Sequence, residues 1–349
     1  MTKAIRSLAA FSAAALLFVL LAPSISAADN YTFKMATLPP RGSQYMNIME
    51  AFAEELKTRS DGQIKIQFYP GGQMGDERDY IRKMRSMLDG AGFSGMGLGD
   101  LLHSSRILEM PFTFKNYGEY EAVRTAVVPT LNRRFEEKGY KILGWAEQGF
   151  IRLCSNSPIH SIADVKKTKC WAWAGDPLAA SIYDNFNLTP VPVAVPEVLT
   201  SLQTGIIETI YSAPNILIAL QWFTRIKYII DVPMVYAGGA ILVKKSAFDR
   251  LPPELQALVE KMMAKYITEL NDLTHKENEE AMNVLQGSHG IELIKIDAEK
   301  LAEWDVVGEQ IRQANIGKIW DQEILDMAMT ALAEHRNGLA GTPAEGTGE

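Results

Sequence analysis

Residues 31–37 alternate apolar and polar side chains, and residues 64–69 do so again. Alternation at period two predicts a strand with one buried face. Between these runs, Met46, Met49, Phe52, Ala53 and Leu56 recur at helical spacing. They predict a helix over 44–60 that buries one stripe, with Ser43 capping its first turn. The order strand, helix, strand favours a parallel sheet with helices on its faces.

The same reading extends along the chain. A helix is expected over 76–88. Five glycines fall within 89–99, which reads either as a close backbone approach or as a tight strand-to-helix crossing. One or two amphipathic helices are expected over 116–138. Strands are expected over 141–146 and 147–154, with Gly149 marking a bend where the chain passes between domains. After a capped helical turn over 161–166, Trp171 and Trp173 sit on alternate residues of a strand-like run and so share a face. Helices over 176–185 and 197–205, the second closed by Gly205, flank an extended segment over 191–195. A strand over 206–212 and a helix over 214–222 repeat the β-α order. Strands are expected over 228–231 and 239–244, the latter returning to the first domain. A long helix over 254–287, a strand over 291–294 and helices over 299–315 and 319–336 complete the chain.

At 349 residues and 47% hydrophobic content, the chain is long for one core and typical of two domains. Lys3 and Arg6, an apolar run over 8–22 and small residues over 24–28 form a secretory signal; an uncleaved anchor is the competing reading. Cleavage would move the net charge from −7 to about −9, which argues against a nucleic-acid partner. The mature chain is expected not to span a membrane. Cys154 and Cys170 can pair across neighbouring strands or stay as separate buried thiols. The five histidines are scattered, with no zinc-ligand spacing and no metal site.

No nucleophile elbow, zinc-protease motif or nucleotide loop is present. An enzyme is therefore not expected, nor any cofactor. Two lobes, crossing strands and a cleft in an exported protein are instead the setting for ligand capture by hinge closure.

Five segments in order carry a resemblance: 72–78, 108–112, 162–166, 196–205 and 251–254. Together they resemble the DctP-type solute receptors of tripartite ATP-independent periplasmic (TRAP) transporters, over roughly 31–336. The resemblance implies an α/β, periplasmic-binding-protein type II-like fold: two lobes around a cleft with long connecting helices. Lobe I is expected over 29–150 and 239–290. Lobe II and closing helices are expected over 151–238 and 291–336, a disordered tail over 337–349, and the signal peptide over 1–28. The implied function is capture of a small organic solute, an organic acid or related polar metabolite, in the periplasm of a Gram-negative bacterium. The implied partners are the ligand and the membrane permease subunits. The alternative is a periplasmic sensory or interaction protein that presents ligand to a signalling partner.

The resemblance also places site residues. The strand arginine that usually pairs with the substrate carboxylate falls on Trp171. A second arginine falls on Ile151, with Arg152 next to it, and an asparagine falls on Ser212. Ser94, Ala174 and Val195 match other pocket positions. A buried carboxylate needs a charged donor, and tryptophan supplies one N–H and an aromatic face. Either another cation, such as Arg41, Arg78 or Arg152, or a metal ion holds an acid, or the ligand is less acidic. In the second case Trp171, Trp173, Phe150 and Tyr211 would form an aromatic wall, joined by Glu147 and Asp176, suited to a cationic or polar solute. The alternative for the tryptophans is core packing, with the resemblance turning Trp171 toward the cleft; Asp176 also reads as a helix cap, and Glu147 as part of a hinge salt bridge.

Overall fold

The structure is a computed structural model that describes residues 30–340. The signal peptide expected over 1–28 and the end of the expected tail, 341–349, lie outside the described residues. The last helix, Gln322–Ala340, runs past the expected start of the tail at 337.

Among the described residues ten strands organise the fold: β1 Tyr31–Ala36, β2 Ile64–Tyr69, β3 Gly90–Ser94, β4 Tyr140–Ser155, β5 Trp171–Trp173, β6 Val191–Val193, β7 Thr209–Ser212, β8 Tyr228–Ile230, β9 Val235–Lys244 and β10 Glu292–Ile294. Their order is β10-β8-β4-β9-β3-β1-β2, with β7 also on β4. In lobe I, β1 runs parallel to β2 and β3, and β9 runs antiparallel to β3 and β4. In lobe II, the far end of β4 pairs with β7 and β8, and β5 and β6 lie parallel beside them. The two-lobe architecture is the one expected, and β4 and β9 pass between the lobes.

The two strands expected over 141–154 are one. Pairing with β9 continues from Tyr140 to Ile151, with register shifts between Ile142 and Gly144 and between Glu147 and Gly149. Gly149 does mark a bend, as a bulge with φ +98° inside a continuous ladder. Two asparagines of the long helix Pro253–Gly287 meet the backbone groups there. Asn271 accepts from Glu147 N at 3.0 Å and donates to Trp145 O at 3.2 Å. Asn278 donates to Gln148 O at 2.9 Å and accepts from Asn215 N of lobe II at 3.2 Å. The same helix buries Leu255, Val259, Met263 and Leu270 in the lobe I core and Leu285 in the lobe II core. It is a spine across the strand crossing.

Local signals explain most other elements. Ser43 caps Gln44–Arg59, whose buried stripe is Met46, Ile48, Met49, Phe52 and Leu56. The single helix Tyr117–Glu137 covers the region expected to hold one or two, and the final helix Gln322–Ala340 packs along it. Among the described residues no helix is long and apolar enough to cross a membrane. Cys154 and Cys170 are both free and buried. Burial pushes the Cys154 thiol up to about 12 and the Cys170 thiol to about 11.

Removing the Asn278 side chain leaves the half-buried Gln148 O and Asn215 N without this partner, a cost of up to about 1–3 kcal/mol. Asn278→Ala is expected to lower unfolding stability by that amount in urea titrations. A change within about 0.5 kcal/mol, as for ordinary surface substitutions, would contradict the role of this side chain.

Candidate functional site

The crossing strands, the spine helix and the facing edges of both lobes enclose a cleft of about 760 Å³. The glycine-rich segment builds its lobe I side. It forms β3 and then the short helix Gly95–Leu101, capped by Ser94. Both earlier readings of this segment hold: the chain crosses from strand to helix, and other groups approach it closely. A Cβ at Gly95 would lie 2.1 Å from Glu109 Oε1, one at Gly97 would lie 2.4 Å from Glu77 Oε2, and one at Gly99 would lie 2.9 Å from Arg106 Cδ. The missing side chains make room for Glu109, Glu77 and Arg106, three ionisable groups that line the cleft.

Arg106 lies on the 3₁₀ turn His103–Glu109 and is 5% exposed. Its Nη2 donates to Asp176 Oδ2 across the cleft at 3.1 Å, and its Nε lies 2.7 Å from Glu109 Oε2 without hydrogen-bond alignment. Nη1 has no hydrogen-bond partner. Burial opposes its charge, but Asp176 and Glu109 outweigh that and hold the guanidinium above its ordinary range. Burial pushes the Glu109 carboxyl up to about 7 against the pull of Arg106. Burial likewise raises Glu77 to about 8, although Ser94 N, Ser94 Oγ and Gly97 N all donate to it.

The facing wall is aromatic. Trp171 and Trp173 do share a face of β5, with rings 6.3 Å apart and 28° from parallel. Tyr211 stacks on Trp171 at 4.6 Å, and Trp222 meets it edge-on at 5.5 Å. Trp171 is only 2% exposed, so it belongs to the lobe II core and to the cleft wall together. Its Nε1 donates to Val193 O at 2.9 Å, and Trp173 Nε1 donates to Asp76 Oδ2 at 2.8 Å. Both indole N–H groups are therefore already engaged. The wall offers rings and the Tyr211 hydroxyl, which accepts from Trp173 N at 3.1 Å.

Of the residues singled out from sequence, Ser94, Glu147, Trp171, Trp173, Asp176, Val195, Tyr211 and Ser212 line the cleft. Phe150, Arg152 and Ala174 do not. Beyond the bulge Ile151 lines the cleft, as Ala146, Glu147 and Gln148 do before it, and its neighbours Phe150 and Arg152 point the opposite way, as alternation in a strand requires. Phe150 packs on Tyr117 and Tyr236 at 5.4 and 5.0 Å, and Arg152 pairs with Asp231 at 3.5 Å. Asp176 is both cap and cleft residue: Oδ1 accepts from Leu178 N at 2.9 Å, while Oδ2 meets Arg106. Glu147 accepts from Tyr236 Oη and from His275 Nε2, the latter at 2.6 Å, beside the strand crossing. Arg41 lines the rim but is exposed and paired with Glu50. Arg78 bonds Asp100 at 2.6 Å and Gly175 O at 2.7 Å.

Arg106 was not singled out from sequence. Its signal is faint: an arginine directly before the apolar pair Ile107 and Leu108. Among the described residues lining the cleft, Arg41 and Arg106 are the ones with a fixed positive charge. No group of three or more His, Cys, Asp or Glu among the described residues could hold a metal ion.

Comparison with known proteins agrees with this architecture. The family described as bacterial extracellular solute-binding protein, family 7 (DctP), matches residues 35–316. A solute-binding protein of Verminephrobacter eiseniae is 28% identical over 231 residues, 65% of this chain and 68% of its own length. The C4-dicarboxylate-binding periplasmic protein DctP of Rhodobacter capsulatus is 24% identical over 263 residues, 73% of this chain and 78% of its own. The crystal structure of the sugar acid binding protein DctPAm of Advenella mimigardefordensis, in complex with galactonate, superposes with a TM-score of 0.81 at 18% identity, covering 88% of this chain and 99% of that one. The chain belongs to the DctP family of bacterial extracellular solute-binding proteins, the solute receptors of TRAP transporters, which bind their solutes and are not enzymes.

Proposed function

We propose that this chain is exported to the periplasm, captures a small organic acid between its lobes and delivers it to the membrane subunits of a TRAP-type permease. The observation that carries this reading is the cleft itself. It is a cavity of about 760 Å³ bounded by both lobes and crossed at its base by the strands they share. Lobes joined in this way can open and close as units about β4 and β9. Relatives named for a C4-dicarboxylate and for a sugar acid support an acid as the ligand class.

The acid is held without an arginine at position 171. Trp171 has committed its single N–H to Val193, so it contributes apolar contact and ring stacking alone. The Asn215 Oδ1, buried at the cleft wall and without a partner, suits a ligand that also carries a hydroxyl donor. One observation favours a second reading. Glu77, Glu109, Glu147, Asp176, Glu277 and Glu280 line the cleft against Arg41 and Arg106. An acidic lining beside an aromatic wall also suits a cationic solute. The elevated carboxyls of Glu77 and Glu109 reduce that excess of negative charge near neutral pH.

Thermal denaturation with added D-galactonate, succinate, benzoate, choline or glucose decides between them. A ligand at one hundred times its Kd stabilises by about 2.7 kcal/mol, a rise of several degrees for a chain of this size. The expected result is stabilisation by at least one of the acids. Stabilisation by choline alone would replace the acid reading with the cationic one.

A further inference from the structure

We infer that Asp176 stands in for the ligand's carboxylate on Arg106, and that an acid binds by taking Arg106 over from Asp176. This rests on the receptor reading above and names the anchor it uses. Arg106 sits in a socket. Gly99 receives the aliphatic stem of that side chain, where a Cβ would meet Cγ and Cδ at 2.9 Å. The guanidinium is thereby held at the cleft wall, 5% exposed, with Nη1 unpartnered. A buried guanidinium N–H without an acceptor is costly in a folded chain and calls for a partner that arrives from outside.

Asp176 is a weak occupant of this position. It comes from the opposite lobe, in the turn after β5, and reaches Arg106 with one oxygen at 3.1 Å. Its other oxygen caps the helix Pro177–Asn185. A free carboxylate can present both oxygens to a guanidinium edge, the geometry that arginine favours most. Exchange would not strand Asp176. Its cap bond to Leu178 N remains, and Arg78, anchored to Gly175 O at 2.7 Å, stays near enough to feel its charge. Glu109, the other neighbour of Arg106, is not aligned for a hydrogen bond and is pushed up to about 7 by burial. It leaves part of the Arg106 charge uncompensated at neutral pH. The anchor would thus sit on the lobe opposite Trp171, whose indole cannot replace it.

The exchange makes opposite predictions for the two partners. Asp176→Asn keeps the helix cap, because asparagine caps as well as aspartate, but removes the competing charge. Calorimetric titration of the full exported chain with D-galactonate, succinate and benzoate, and with choline and glucose as controls, reads the outcome. For the acid that binds, D176N is expected to tighten Kd about tenfold, and Arg106→Met to weaken it a hundredfold or more. If R106M fails to fold by circular dichroism, Arg106→Lys keeps the charge without the fork and is expected to weaken binding about tenfold. Weaker acid binding in D176N would make Asp176 a latch or a direct ligand contact and overturn the inference. Unchanged acid binding in R106M, or in R106K where R106M is unfolded, would overturn it as well. Binding of choline or glucose with no acid bound would overturn it while leaving the receptor reading intact. No binding by any of these solutes would count against the receptor reading, and the inference would fall with it.

Discussion

The antiparallel pairing of β4 with β9 is the interaction on which the rest of the molecule depends. It runs from Tyr140 to Ile151, places lobe I at one end and lobe II at the other, and forms the base of the cleft. A ladder this long must bend to serve two sheets, and it bends at bulges that interrupt its hydrogen bonding. Asn271 and Asn278 supply the partners that the ladder loses there. Because both belong to the spine helix, the bend, the helix and the Asn215 side of lobe II form one connected unit.

Contacts across the cleft complement this joint. Trp173 donates to Asp76, Arg78 to Gly175 O and Arg106 to Asp176. Each joins a lobe I residue to the segment around β5. The indole donors of Trp171 and Trp173 are already used, whereas Nη1 of Arg106 has no hydrogen-bond partner. Under the exchange inferred above, capture of a small acid needs only the replacement of one carboxylate by another on a guanidinium already buried at the cleft wall.

Much of the fold was legible in the sequence because its signals are local. Alternation announced β1 and β2, helical spacing announced Gln44–Arg59, and Ser43, Ser161 and Asp176 each cap the helix they precede. The continuity of β4 was not legible. Gly149 reads locally as an interruption, and only pairing with β9, far along the chain, carries the strand through it. The same limit governs the site. Whether Ile151 or Arg152 faces the cleft depends on parity across a bulge, and the bulge placed Ile151 inward. Arg106 was hidden for a stronger reason. Its role comes from Gly99 beneath it and Asp176 opposite it, and neither proximity leaves a trace in the residues around it.

A crystal structure of the chain saturated with an acid that it binds tests the central claim most directly. The account predicts the ligand's carboxylate at about 3 Å from the Arg106 guanidinium, with Asp176 Oδ2 withdrawn and its cap bond to Leu178 N kept. An acid seated elsewhere in the cleft, with the Arg106–Asp176 pair intact, would contradict it.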